Sequence, residues 1–117
     1  MFFTDLITYV KKTCHERTNV TNFGINICED IWFPRAPSLT KAAGAGVLIV
    51  LNASPFQSNK DTERKHKIRK NVSALNLPVL FCNVVGGQDE LVFDGSSFVL
   101  DRNGDISASA PEFEESL

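Results

Sequence analysis

At 117 residues and 12.9 kDa the chain has room for one domain. Hydrophobic residues at 43% and charged residues at 22% are ordinary globular values, which argues against disorder or a fibrous repeat. The net charge is −2 and the longest apolar run is Val47–Leu51. These exclude a general nucleic-acid or membrane-surface binder, and a bilayer span, which needs about 20 apolar residues.

The opening residues, MFFTDLITYVKK, place Asp5 early and a basic pair late, the reverse of a secretory signal. The expected compartment is therefore the cytoplasm. Leu6, Ile7 and Val10 have helical spacing, but Lys11 to Asn22 has no clear period, so residues 1–22 are set apart as a leader without assignment.

From Phe23 the pattern sharpens. Ile25 and Ile27 alternate with Asn26, the signature of a short strand ending near Cys28. Pro34 and Pro37 interrupt the chain. Pro37 fits the first turn of a helix running through Ala45, closed by Gly44 and Gly46. Val47–Leu51 is continuously apolar, as expected of a strand buried on both faces of a parallel sheet. Asn52 to Asn59 is a polar turn. Ser58 and Asp61 match a loose capping box for a helix to about Leu75, with Ile68, Val72 and Leu75 as its buried stripe. Arg64, Lys65, Lys67 and Lys70 are placed mostly off that stripe. Pro78 opens a third strand, Val79 to Val85.

The order is β-α-β-α-β, which implies an α/β fold with parallel strands joined by right-handed crossovers. Glu90–Phe93, Ser97–Asp101 and Asp105–Ala110 then alternate as short strands. Gly95 and Asn103-Gly104 supply turns, so an antiparallel ribbon is expected to follow the α/β unit. Two clear helices cannot cover both faces of three apolar strands. The leader, another subunit or a missing part of the chain must supply a further layer.

Charge is unevenly spread. Residues 60–70 hold six basic and two acidic side chains, and residues 88–117 hold eight acidic residues and one basic, Arg102. Such runs are read as solvated faces. The cysteines are Cys14, Cys28 and Cys82, an odd number without a CxxC, which argues against a disulfide framework or a zinc site. His15 and His66 lie in charged stretches and are read as solvated. Gly86-Gly87 lacks any phosphate-loop context and is read as a tight bend.

In open α/β sheets functional residues gather beyond the carboxyl ends of strands. Cys28-Glu29-Asp30, Asn52 to Phe56 and Asn83 to Glu90 all occupy such places, which motivates a shared site. Cys28 is the candidate nucleophile, because a strand-to-loop turn can expose the sulfur, and its thiolate is reactive where a base or a cation lowers the hold on the proton. The competing reading is a buried structural thiol. Cys14 and Cys82 are read as structural or incidental, the latter as a small hydrophobe inside a strand.

GINICEDIW (24–32), AGAGVLIVLNASPF (43–56) followed by Lys60, and NVVGGQDELVFDGSSFVLDRNG (83–104) resemble the glutamine-amidase domain of the glutamine-dependent NAD(+) synthetases. That domain belongs to the nitrilase, or carbon–nitrogen hydrolase, superfamily. The resemblance implies a partial α-β-β-α sandwich, with residues 23–117 as the C-terminal half of the domain. It implies a Glu-Lys-Cys catalytic set in which Cys28 attacks the carboxamide carbon of L-glutamine. A thioester forms, ammonia leaves and water releases glutamate. The Glu29 backbone N–H would help hold the oxyanion. Ser54 and Lys60 would contact the substrate. The family's Glu and Lys lie farther upstream than this chain extends before Cys28, so no role passes to Lys11, Lys12 or Glu16, and the chain alone is expected to be a poor amidase. No cofactor is expected here, since ATP and Mg belong to the synthetase domain that uses ammonia to amidate deamido-NAD. Expected partners are glutamine and either a second copy of the chain or the missing half-domain, with no nucleic acid and no membrane. Alternatives are a non-catalytic half-domain that acts in self-association or binding, and another nitrilase-superfamily amidase.

Overall fold

A computed structural model describes residues 22–116. The expectations for the leader, including Cys14 and His15, lie outside the described residues. Strand β1 (Phe23–Ile27) leads into a 3-10 turn (Cys28–Trp32), helix α1 (Arg35–Ala42), β2 (Val47–Asn52) and helix α2 (Lys60–Val72). Then follow β3 (Val79–Asn83), β4 (Val85–Gln88), β5 (Leu91–Asp94), β6 (Phe98–Leu100) and β7 (Ile106–Ser109).

The main sheet has the order β1-β2-β3-β6-β7. The first three strands are parallel, and β6 and β7 add antiparallel to them. Consecutive strands joined by crossovers of one hand put both helices on one face. The register agrees. Leu48 pairs with Val79 and Val79 with Leu100; Val50 pairs with Phe81 and Phe81 with Phe98. These six side chains share the helix-covered face and form the core with Ile31, Ile68, Val72, Leu75 and Leu77. Phe81 and Phe98 stack with centroids 4.9 Å apart.

Where β1 meets α1 the chains come very close. A methyl at Gly24 would stand 2.1 Å from the Thr40 Cγ2, so only glycine fits. Beside it the Asn26 amide donates to the Thr40 hydroxyl at 3.0 Å.

Several expected boundaries move. Helix α1 begins at Arg35, two residues before Pro37, and Gly44 leaves it in the left-handed region at φ 101°. Pro37 is tolerated at the third helical position because that N–H has no intrahelical partner. Ser58 makes no cap for α2. Asn59 takes the cap position at φ 65° with no side-chain bond, and Asp61 instead accepts from Lys65 and from Ser96. The third strand stops at Asn83. Gly86-Gly87 is no bend: it lies in β4, which pairs with β5 as a separate two-stranded ribbon. The tight turn sits at Asp89, φ 54°. The last two strands join the main sheet instead of forming the ribbon.

Candidate active site

The end of β1 presents the first wall of the site. Cys28 breaks the strand with φ 52°, a conformation that costs an L-residue about 1–2 kcal/mol. The turn is fixed by the Ile27 N–H, which donates to Asp30 Oδ2 at 2.9 Å, and by Ile31, which is fully buried in the core. The Cys28 thiol is exposed, so the structural-thiol reading does not describe it. Cys82 is exposed as well, contrary to its reading as a buried hydrophobe. Its strand alternates, and the side chain falls on the face that the helices do not cover.

A cavity of about 460 Å³ opens beside Cys28. Glu29, Trp32 and Phe33 line it from the turn, Asn52 to Pro55 from the end of β2, and Lys60 and Lys67 from one side of α2. Cys28, Ser54 and Lys60 thus face one space. The third strand-end segment contributes from beneath: Asn83 is buried, and its Oδ1 accepts from the Ser54 N–H at 2.9 Å. The rest of that segment leaves for the ribbon. The ribbon returns to brace the same loop, where the Phe56 N–H donates to the Val92 carbonyl at 2.7 Å.

Sequence reasoning missed a buried polar cluster behind Ser54. Arg64 is 0% exposed and Asp94 1%, with Nη2 to Oδ1 at 3.3 Å. The same Nη2 donates to the Ser54 Oγ at 3.4 Å. The signal was present: Arg64 precedes Ile68 and Val72 at intervals of four, squarely on the buried stripe. Lys67 was also missed. Its Nζ lies 4.6 Å from the centre of the Trp32 ring, a cation–π contact that holds the aromatic wall in place. His66 is exposed, as expected. Among the described residues no cluster of His, Cys, Asp and Glu could hold a metal ion, and no helix is long and apolar enough to cross a membrane.

This arrangement sets a thiol, a hydroxyl and an ammonium around a cavity of about 460 Å³, with room to spare for a small amide. Comparison with known proteins places the chain in a family. The Carbon-nitrogen hydrolase family matches residues 5–117. The glutamine-dependent NAD(+) synthetase of Rhodobacter capsulatus is 43% identical over 94 residues, which cover 80% of this chain and 17% of that protein. The structure of the glutamine-dependent NAD+ synthetase from Acinetobacter baumannii superposes with a TM-score of 0.78 at 38% identity, covering 86% of this chain and 19% of that one. A carbon-nitrogen hydrolase from Helicobacter pylori gives 0.72 at 31% identity, covering 84% of this chain and 39% of that one. The chain therefore spans about a fifth of the length of the synthetases it matches. Its parallel β-α-β-α-β unit with antiparallel additions is part of the nitrilase fold, and the chain belongs to the carbon–nitrogen hydrolase family.

Proposed function

We propose that this chain is part of the glutaminase unit of a glutamine-hydrolysing NAD(+) synthetase. The observation that carries the reading is the cavity that Cys28, Ser54 and Lys60 share. The Cys28 sulfur attacks the carboxamide carbon of glutamine and forms a C–S bond. The carbonyl oxygen takes the charge and is held by the Glu29 backbone N–H, a donor of a kind worth about 3 kcal/mol. Collapse of the tetrahedral species breaks the C–N bond and releases ammonia. Water then attacks the thioester and frees glutamate and the thiol. Ser54 and Lys60 grip the amino-acid end of the substrate. ATP and Mg belong to a synthetase part outside this chain.

Both proton transfers need a positioned base and acid, and such groups contribute about 10²–10⁴-fold. The purified chain is expected to release little or no ammonia. Binding is tested without that chemistry by a chloroketone analogue of glutamine, in which sulfur displaces chloride and no general base is required. Intact mass should show one adduct on Cys28, slowed by L-glutamine and absent from Cys28→Ala. Equal labelling of Cys82, or labelling indifferent to glutamine, overturns the reading.

A second proposal concerns assembly. Ile27 and Leu51 are 49% and 47% exposed, are register partners, and share the sheet face opposite the helices. This apolar face favours self-association of the chain through the sheet.

A further inference from the structure

The cluster behind the cavity is a closed ring of contacts. Arg64 Nη2 donates to the Ser54 Oγ at 3.4 Å and to Asp94 Oδ1 at 3.3 Å, and Nη1 donates to Asp94 Oδ2 at 3.5 Å. The Ser54 N–H donates to Asn83 Oδ1 at 2.9 Å. The Asn83 amide nitrogen completes the circuit, donating to Asp94 Oδ1 at 3.5 Å and to the Gly95 carbonyl at 2.9 Å. Four residues from four separate segments meet, and all four are buried. A buried ion pair contributes little net stability compared with apolar groups of the same volume. Stability is thus a poor account of why an arginine stands on the core stripe of α2. Direction is a better one. The guanidinium fork is rigid and planar, and it fixes two partners at once. One partner is Ser54 at the cavity wall, and Arg64 lies one helical turn from Lys60, which lines the same cavity.

We infer that Arg64 is a positioning residue: paired with Asp94, it sets the place of Ser54, and with it the grip on the substrate, without touching substrate itself. The inference rests on the glutaminase reading only for what Ser54 holds. The experiment compares the full chain with two variants. Arg64→Met combined with Asp94→Leu replaces the pair by apolar groups. Arg64→Lys keeps the charge but loses the fork. Amide exchange followed by NMR reads the position of Ser54, and competition by L-glutamine against chloroketone labelling of Cys28 reads the grip.

In the double variant the Ser54 N–H should exchange at least tenfold faster while Val50, inside β2, changes less than twofold. The glutamine concentration that halves labelling should rise at least tenfold, while alkylation of Cys28 by iodoacetamide stays within twofold. Arg64→Lys should fall between. Unchanged Ser54 exchange and unchanged competition in a folded double variant overturn the inference. Loss of the native amide spectrum in both variants does so too, since the pair would then be a folding determinant. If Ser54 exchange accelerates but glutamine never protects Cys28 in the parent chain, the positioning role stands and the glutaminase reading fails.

Discussion

Cys28 sits in a left-handed conformation that its side chain makes costly, and that side chain is exposed. Strain of this kind persists where the surroundings hold it, and it turns the thiol out of the strand toward the cavity. Glycine relieves the strain and alanine does not. Cys28→Gly should therefore be more stable than Cys28→Ala by about 1 kcal/mol in urea unfolding, although both lose the nucleophile. Equal stabilities would mean that the turn relaxes in solution. At this scale the sequence was informative about chemistry and silent about support. Cys28 stood out because it ends a strand, whereas Ser54 and Lys60 were singled out only by the family resemblance of the segment that holds them. Arg64 was obscured because it lies in a run of cations, where solvation is the natural reading. Its partner Asp94 lies thirty residues away and is revealed only by the fold.

At the scale of elements, the strands and helices that follow local periodicity were readable, and those that depend on pairing were not. The apolar run of β2 and the spacing of Ile68 and Val72 in α2 determine their own structure. The β4–β5 pairing depends on contacts between segments, so Gly86-Gly87 gave the local appearance of a bend. The assignment of β6 and β7 to the main sheet is likewise a long-range fact. The approach of α1 to β1 is another, and it is testable. Gly24→Ala places a methyl into Thr40 Cγ2 at 2.1 Å and against the Ala45 Cβ at 2.8 Å. Overpacking of this kind costs about 1–3 kcal/mol. Thr40→Ser removes the first clash while keeping the hydroxyl that receives the Asn26 amide. The double variant should recover part of the loss, and no recovery would show that the Ala45 contact dominates.

At the scale of the whole molecule, the sheet is built with two apolar faces. Helices α1 and α2 cover one of them. On the other, Ile25, Ile49 and Leu80 are half-buried and Ile27, Leu51 and Cys82 are exposed. The need for a further layer was visible in the sequence as three apolar strands with only two clear helices. What occupies that place could not be read, because a partner leaves no periodicity in the chain that meets it. Apolar surface taken out of water contributes about 25 cal/mol per Å², and a sheet face supplies much of what a stable pairing needs. The purified chain should therefore sediment and scatter light as a dimer or larger assembly. Leu51 is the point at which to break it, since it is the most exposed apolar side chain of β2 and faces away from the helix-covered core. Leu51→Lys places an ammonium in that face, where its long stem can still lie along the sheet in a monomer but cannot be desolvated in an assembly. The variant should shift toward monomer by at least tenfold in dissociation constant, with its circular dichroism retained. A parent chain that is monomeric across the concentration range would remove the proposal, because the exposed face would then be stable in water by itself.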